Sequence, residues 1–292
     1  MTDRNTLFRS VLYMPGSKVR ALEKAKTLDV DALIFDLEDA VSPSEKPMAR
    51  DLVCEAVKSG GYGRRSVVIR VNGLDSEWGM DDLAAACAAA PDAILIPKVS
   101  TADELKQIEK LMKAFGVSDK TRIWAMMETP LGILNAQEIA SATPMLEALV
   151  MGTNDLVKDL FAEQTPDRAP VMTSLSLCLL AARAYGLICV DGVYNAFKDD
   201  DGLRDACQQG RDMGFDGKTL IHPAQLVVTN EMFAPSVEDI KLAQTYVDAF
   251  NEAKARGEGI AVVNGKIVEN LHIETAQKLL GKAATIASVA KN

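Results

Sequence analysis

The 292-residue sequence has only two histidines, His222 and His272, and five cysteines. No H-x-x-x-H or C-x-x-C spacing occurs, so zinc held in either of these patterns is not expected. The cysteines are odd in number and scattered along the chain, which argues against a disulfide framework. This cysteine usage is typical of a protein in a reducing cytoplasm.

The sequence also lacks features that would bind a nucleic acid or a membrane. There is no long basic run and the formal net charge is −9, so neither a DNA duplex nor an anionic lipid surface is an expected partner. The longest apolar stretch, residues 175–190, contains Arg183 and Gly186 and is a poor membrane span. The first ten residues, MTDRNTLFRS, lack the apolar run of a signal peptide. We therefore expect a globular cytoplasmic protein.

Eight short apolar segments recur along the chain, with stretches of helical periodicity between several of them. They are near-continuously apolar, as parallel strands covered by helices are. The predicted strands are residues 11–15, 32–36, 66–72, 93–99, 122–129, 147–155, 188–195 and 217–223. The clearest predicted helices are residues 17–28, 43–58, 80–90, 101–115 and 173–185.

Eight strand-and-helix repeats without a low-complexity linker predict an α/β fold, a TIM (β/α)8 barrel, over residues 1–230. The alternative is a doubly wound sheet, but no G-x-G-x-x-G follows the first strand. Residues 210–219, GRDMGFDGKT, resemble a phosphate-binding loop, yet Asp212 replaces the first glycine required there. Residues 231–292 predict a C-terminal helical lid, with a hairpin-like VVNGKIV, that packs on the mouth of its own barrel or of a neighbouring subunit.

Polar residues follow the apolar body of each predicted strand from the second onward. In a parallel barrel these ends share one face, which is where the chemistry of such folds lies. Some of these side chains simply mark strand ends, but packing alone does not account for the whole ring. The residues are Glu38 and Asp39, Arg70 and Asn72, Lys98, Glu128, Asn154 and Asp155, Asp191, and His222.

Glu128 and Asp155 form the sharpest pair in this ring. Adjacent strands lie about 4.8 Å apart, so carboxylates at the ends of strands five and six are placed to bind one cation. Two such close charges need a counterion or a shared proton, and Mg²⁺ with waters and substrate is the natural occupant. The alternative is a salt bridge from this pair to Arg70 or Lys98.

Arg70 follows four apolar residues, so we expect it to enter the barrel mouth. Its guanidinium is suited to a bidentate grip on a substrate carboxylate or enolate. The alternative is a structural partner for Glu38 or Asp39, and both roles can hold together. Lys18 and Lys24 lie at the predicted start of the first helix, where Lys18 with neighbouring backbone amides is a candidate for phosphate contacts. Ordinary solvated helix charges are the commoner explanation, and spacing alone favours them.

Taken together these residues resemble the citrate lyase β-subunit-like branch of the HpcH/HpaI aldolase superfamily, which includes malyl-CoA and citramalyl-CoA lyases. The matching blocks are RSVLYMPGS, DLEDAV, IRVNG, METPLGILN, MGTNDL and FDGKTLIHPAQ, and they extend over nearly the whole chain. The resemblance implies a TIM barrel, a Mg²⁺ site in which Mn²⁺ can substitute, an acyl-CoA substrate and a homo-oligomer, a trimer or a hexamer.

The family pattern also implies a role for each matching residue. Glu128 and Asp155 would bind the metal, and Arg70 would hold the substrate's acyl group. Contacts with coenzyme A would come from Tyr13, Lys18 and Lys24, while Asn154, Ile221 and His222 would line the site.

The sequence departs from the family in its tail. The lyases have a motif similar to G-x-M-I-D-x-P, whose aspartate is the acid/base, whereas this chain has GKIVENL with Glu269 at that position. The extra methylene shifts the carboxylate by roughly an ångström, enough to cost about a hundredfold in rate. This tail resembles that of the (3S)-malyl-CoA thioesterases in the family, so the resemblance favours hydrolysis of (3S)-malyl-CoA with Glu269 activating water.

Two alternatives to hydrolysis stay open from the sequence. The first is a reversible carbon–carbon lyase that cleaves malyl-CoA, citramalyl-CoA or a related acyl-CoA to acetyl-CoA and an oxo acid. The second is a non-catalytic or citryl-lyase subunit of a citrate lyase complex.

Overall fold

The computed structural model describes residues 6–289. In this range eight parallel strands pair in chain order, and the first strand pairs with the eighth to close the cylinder. The predicted TIM barrel is therefore confirmed, and the doubly wound alternative is excluded. The strands are β1 Ser10–Pro15, β2 Ala32–Asp36, β3 Ser66–Arg70, β4 Ala93–Ile96, β5 Arg122–Met127, β6 Leu146–Met151, β7 Ile188–Asp191 and β8 Gly217–Leu220.

Helices follow the strands around the barrel. The five segments predicted to be helical are all helical. Thr101 shows why the fourth of them begins where it does: its hydroxyl accepts the backbone N–H of Glu104 in a capping box. The helices are α1 Val19–Ala25, α2 Lys46–Ser59, α3 Gly79–Ala89, α4 Ala102–Ala114, α5 Pro130–Leu134, α6 Ala136–Ala140, α7 Thr153–Asp159, α8 Met172–Tyr185, α9 Asp200–Met213 and α10 Leu226–Met232.

Alternate residues of the strands form one buried apolar cluster. It includes Ile34 of β2, Val68 of β3 and Trp124 of β5. Successive side chains of a strand point to opposite faces, so residues two positions further along share the face of these core residues. Arg70 is two residues beyond Val68, and this alternation therefore places it above the apolar core at the carboxyl end.

Several strands end earlier than predicted. The sixth was predicted to run to Asp155, but β6 ends at Met151 and α7 starts at Thr153. Gly152 is the residue between them. Asn154 and Asp155 consequently lie in the first turn of a helix rather than at the end of a strand.

The unit Phe8–Asn230 holds the barrel, and residues 231–289, together with Thr6 and Leu7, belong to a second compact unit. It contains α11 Val237–Ala255, β9 Ala261–Val263, β10 Lys266–Val268 and α12 Asn270–Val289. The predicted hairpin is present, with β9 and β10 antiparallel. Asn264 and Gly265 turn it with φ values of 50° and 74°, as a two-residue turn with both φ positive requires. Its role as a lid stays a prediction.

The helices and cysteines add two observations. None of the helices in residues 6–289 combines the length and the apolar character that a bilayer crossing requires. All five cysteines are buried free thiols.

Candidate active site

Asp36 and Arg70 are the last residues of β2 and β3 and lie side by side in the sheet register. Nε and Nη2 of Arg70 donate to the two Asp36 carboxylate oxygens, each at 2.6 Å. The same oxygens also accept the backbone N–H groups of Glu38 at 2.9 Å and Ala40 at 3.0 Å. Because Asp36 and Arg70 are both buried, this bidentate pair holds the guanidinium in one orientation.

The Nη1 side of Arg70 faces two further carboxylates. Nη1 lies 2.7 Å from Glu38 Oε2 and 3.5 Å from Asp39 Oδ2, and the Tyr13 ring centroid lies 4.9 Å from Cζ. Lys98 Nζ donates to Glu38 Oε1 at 3.0 Å. The acidic run after β2 therefore surrounds the arginine. A bidentate grip on substrate through Nε and Nη2 is not available, because Asp36 occupies that edge.

Glu128 follows β5 directly, and its side chain is buried. Its Oε1 accepts the backbone N–H of Lys98 at 2.8 Å. Burial, above all, raises the pKa of Glu128 to about 8; the Lys98 N–H and Arg70 lower the pKa, while the charges of Glu38 and Asp155 raise it. A cation close to this carboxyl group would favour its ionised form.

Asp155 lies in the first turn of α7, and its side chain is 28% exposed. The Lys158 ammonium is 3.9 Å away, too far for a strong hydrogen bond. The negative charge of Asp155 contributes to the raised pKa of Glu128, so the two carboxylates are close enough to interact. Asp155 therefore interacts electrostatically with Glu128, but it comes from a helix start rather than from the predicted strand end.

The donor set at this pair fits a hard divalent cation that completes its shell with other oxygens. Among residues 6–289, no group of three or more His, Cys, Asp and Glu side chains is placed to hold a metal. Mg²⁺ is commonly bound by only one or two carboxylates, with waters and substrate in the other positions. Glu128 and Asp155 are the two carboxylates that would hold such a cation.

Gly152 lies against Glu128, a contact that the sequence analysis missed. A Cβ at this position would lie 2.4 Å from Glu128 Cβ and 2.5 Å from its Oε2, closer than such atoms approach in proteins. Only glycine allows the observed position of the carboxyl group. In the sequence, the glycine of MGTND is the signal that could have indicated this contact.

Replacing Gly152 by alanine is expected to displace the Glu128 carboxyl group. A shift of about 1 Å costs roughly a hundredfold in rate, so kcat/KM should fall by about that factor and Mg²⁺ affinity should fall as well. Steady-state kinetics and metal titration measure both effects. Gly281→Ala is the matched control, since a Cβ there meets nothing within 4 Å. Unchanged Mg²⁺ affinity and turnover in Gly152→Ala would show that this contact is irrelevant.

Lys46 and Asn72 hold the segment that carries Glu38. Lys46 Nζ donates to the carbonyl oxygens of Leu37 at 2.9 Å and Glu38 at 2.8 Å, and to Asn72 Oδ1 at 2.7 Å. Asn72 Nδ2 also donates to the Leu37 carbonyl at 2.8 Å. Lys46 was missed because it begins a helix, and nothing in its sequence neighbours shows that it reaches back to this segment.

The residues predicted to contact coenzyme A are only partly grouped. Tyr13 packs on Arg70 and its hydroxyl donates to Met126 Sδ at 3.4 Å. Lys18 precedes α1, is 60% exposed and lies 3.6 Å from Glu45. Lys24 was predicted near the start of the first helix, but it lies in the last turn of α1 because that helix spans only seven residues.

The predicted lining residues lie after β6 and β8. Asn154 Oδ1 accepts hydrogen bonds from Asn195 Nδ2 at 2.8 Å and from Gln164 Nε2 at 2.9 Å. Ile221 and His222 are exposed just beyond β8. The His222 ring accepts the Ala224 N–H at Nδ1, at 3.1 Å, which places the proton of the neutral ring on Nε2.

Glu269 belongs to the C-terminal unit, between β10 and α12. It is exposed, and its backbone N–H donates to His272 Nδ1 at 3.1 Å. Its catalytic role stays a prediction.

Comparisons with known proteins identify the family of the chain. The model of the HpcH/HpaI aldolase/citrate lyase family matches residues 9–223. A (3S)-malyl-CoA thioesterase of Cereibacter sphaeroides (strain ATCC 17025 / ATH 2.4.3) is 59% identical over 281 residues, covering 96% of each chain. Citrate lyase subunit beta of Escherichia coli (strain K12) is 35% identical, covering 94% of this chain and 93% of that protein.

A solved structure shares the fold over nearly the same length. Protein CitE from Mycobacterium tuberculosis, in complex with magnesium, acetoacetate and coenzyme A, matches with a TM-score of 0.78 and 26% identity, covering 96% of this chain and 99% of that chain. The predicted resemblance is confirmed by the sequence matches and by the closed barrel. The chain belongs to the HpcH/HpaI aldolase/citrate lyase family.

Proposed function

We propose that the protein is an enzyme that hydrolyses (3S)-malyl-CoA to malate and coenzyme A in a Mg²⁺-dependent reaction. The observation that carries the proposal is the interacting pair Glu128 and Asp155 beside the fixed Arg70 at the carboxyl end of the barrel. Support comes from the 59% identical relative that is named for this activity. The M. tuberculosis neighbour, with magnesium and coenzyme A, supports the metal and the substrate class.

Glu128 and Asp155 are the residues that would hold Mg²⁺, and Mn²⁺, which prefers similar oxygen ligands, is expected to substitute. When bound, the cation supplies Lewis-acid stabilisation of negative charge on substrate oxygens. Arg70 adds a fixed positive charge next to this position. Its Nε–Nη2 edge is bonded to Asp36, and its Nη1 side faces Glu38. Such preorganised charge stabilises a transition state without reorganisation.

Substrate recognition is assigned to the family positions. Tyr13, Lys18 and Lys24 would bind coenzyme A, with the exposed lysines meeting its phosphates. Asn154, Ile221 and His222 would line the acyl end. Side chains that stay solvated in the free protein are suited to such contacts, because they lose little on exchanging water for a ligand.

Glu269 is proposed as the general base. Its carboxylate would take a proton from water as the water oxygen attacks the thioester carbonyl carbon. The carbon–sulfur bond then breaks, the coenzyme A thiolate takes up a proton, and malate is released. The arrangement of chains in the oligomer determines whether Glu269 acts in its own barrel or in that of a neighbouring chain.

The test is a product assay with purified protein, (3S)-malyl-CoA and Mg²⁺. Malate and free coenzyme A in equal amounts are the expected products. Glyoxylate and acetyl-CoA without malate would overturn the hydrolase proposal and establish the lyase, which the 35% identity with citrate lyase beta subunits favours as second candidate. Inactivity of the protein alone, with copurification of acyl-carrier partners, would indicate a lyase-complex subunit.

The Glu269→Gln variant tests the role of the general base independently of the metal site. Removal of a general base costs about 10²–10⁴-fold, so kcat should fall by that order while Mg²⁺ affinity is unchanged. Glu274→Gln, in the helix α12 that follows Glu269 and also exposed, should leave both quantities near wild type. Full turnover in Glu269→Gln would remove this residue from the mechanism.

We also propose a cytoplasmic location and a homo-oligomer, a trimer or a hexamer. The five unpaired thiols are typical of a reducing compartment. Light scattering of the purified protein measures the number of chains.

A further inference from the structure

Lys98 is a half-exposed cation at the carboxyl end of the barrel, two residues after β4. Its ammonium donates to Glu38 Oε1 at 3.0 Å, and its backbone N–H donates to Glu128 Oε1 at 2.8 Å. One residue thus contacts both the carboxylate that pairs with Arg70 and a proposed metal ligand. The Lys98 side chain is 54% exposed, so the ammonium is open to a ligand.

The backbone of Lys98 lies in the left-handed region, with a φ of 52°. This conformation is uncommon for a residue other than glycine. Residues held in such conformations cluster at active sites and ligand-binding positions, where the surrounding structure compensates the strain. Here the strained residue directs its backbone N–H to Glu128 and its ammonium to Glu38, and both contacts belong to the candidate active site.

Two other cations close to these carboxylates have less to offer a ligand. Arg70 is buried, with Nε and Nη2 bonded to Asp36 and Nη1 facing Glu38. Lys46 is also buried, and its three N–H groups all have acceptors within 2.9 Å. Lys98 Nζ has one hydrogen-bond acceptor in residues 6–289, Glu38 Oε1, whereas an ammonium has three donors. Two N–H groups of Lys98 are therefore available to a substrate.

Lys158 is another exposed ammonium close to the Glu128–Asp155 pair. It lies 3.9 Å from Asp155 and its side chain is 76% exposed, so no hydrogen bond to that carboxylate fixes its position. Lys98 is fixed more firmly. Burial acts to lower the pKa of Lys98, but the hydrogen bond and charge of Glu38, together with the charge of Glu128, outweigh burial and raise the pKa. Lys98 is the better placed of the two exposed cations.

The acyl group of (3S)-malyl-CoA has one free carboxylate, next to its hydroxyl group. We propose that the Lys98 ammonium binds this carboxylate and makes the enzyme selective for 3-hydroxyacyl-CoA substrates that carry it. The inference rests on the proposed function, because it takes the malyl group as the ligand. Hydrogen bonds between charged groups are stronger than those between neutral groups, so a neutral group in place of the carboxylate is expected to bind more weakly.

The test is calorimetric titration of the 4-amide of (S)-malate into the full-length protein at saturating MgCl₂. This compound keeps the hydroxyl group and the carboxylate beside it, while an amide replaces the thioester. Its binding therefore does not depend on whether the enzyme hydrolyses malyl-CoA or cleaves its carbon–carbon bond. The reference ligand is (S)-malamide, in which the carboxylate is an amide too. The wild-type protein should bind the 4-amide about tenfold or more tighter than malamide.

Variants of Lys98 separate substrate binding from support of the site. Lys98→Met removes the charge and keeps the backbone N–H to Glu128; it should weaken binding of the 4-amide about tenfold or more and leave malamide binding near wild type. Lys98→Arg keeps the charge and should retain most of the affinity. Lys98→Asn should match Lys98→Met, in a residue that adopts a positive φ more readily. Lys106→Met is the matched control, because Lys106 pairs with Asp103 on α4.

Four results would overturn the proposal. The first is a wild-type protein that does not bind the 4-amide more tightly than malamide. The second is wild-type affinity for the 4-amide in folded Lys98→Met or Lys98→Asn. The third is an equal loss for both ligands in these variants, which would show that Lys98 only supports Glu38 and Glu128. The fourth is a selective loss in Lys158→Met instead. Glyoxylate as the product of malyl-CoA, with the selective loss still present in Lys98→Met, would refute the hydrolase proposal alone.

Discussion

Replacing Asp155 by asparagine, or Glu128 by glutamine, is expected to remove Mg²⁺-dependent turnover. Each change keeps the shape of the side chain and removes the negative charge of one of the two carboxylates that would hold the cation. Loss of the metal's charge stabilisation should lower kcat/KM by about 10³-fold or more. Glutamine at 128 still has an oxygen to accept the Lys98 N–H, so the fold around the site should persist.

Steady-state kinetics over a range of MgCl₂ concentrations, together with calorimetric Mg²⁺ titration, measures this effect. Asp159→Asn is the matched control, because Asp159 lies on the same helix as Asp155 and its side chain pairs only loosely with Lys158, at 3.8 Å. The control should keep wild-type metal dependence. If both Glu128→Gln and Asp155→Asn retained full magnesium-stimulated turnover, the metal site would have to lie elsewhere.

Replacing Asp191 by asparagine is expected to lower the free energy of unfolding by about 3–5 kcal/mol. Asp191 is fully buried at the end of β7 and is the shared partner of Arg168 and Lys218. Without its charge, two buried cations would face each other with no anion between them. Urea denaturation followed by circular dichroism gives the change.

The control for Asp191→Asn is Glu258→Gln, which breaks an exposed ion pair with Arg256 and should change stability by about 1 kcal/mol or less. A loss in Asp191→Asn no larger than in this control would mean that water or a local rearrangement compensates the two cations.

The Asp191 carboxylate also makes the stability of the fold depend on pH in the acid range. Burial acts to raise the pKa of Asp191, but Lys218 and Arg168 together outweigh it and lower the pKa below the ordinary value of 3.8. A lowered pKa in the folded state means that the carboxylate stabilises the fold above the unfolded pKa, and that this contribution is lost as the pH falls toward the folded pKa. The stability difference between wild type and Asp191→Asn should therefore shrink below about pH 4 and stay constant above it.

The sequence predicted the barrel because each strand is an apolar run of the right length, followed by a helical pattern. It also placed Glu128 and Asp155 together, since parallel strands end on one face. The strand ends were harder to predict. Asp155 was assigned to a strand because LVMGTND continues an apolar segment, whereas Gly152 ends β6 and Thr153 starts α7.

Contacts between residues far apart in the chain were the least predictable part of the site. Asp36 was counted as the end of a strand, yet it is the bidentate partner of Arg70, 34 residues away. Lys46 and Arg168 lie among other polar residues of a helix start and a loop. Which of several charged residues becomes buried depends on tertiary packing, and local sequence patterns do not record it.

The Asp36–Arg70 pair has a consequence for inhibitor chemistry. Inhibitors often carry a carboxylate that forms a bidentate pair with an arginine. Here the Asp36 carboxylate already forms that pair with Arg70, with both hydrogen bonds at 2.6 Å. A competitor of this type must displace a buried anion and gains little from the exchange. Compounds that leave Arg70 with Asp36 and Glu38, and bind instead to a cation held by the Glu128–Asp155 pair, are the better starting points.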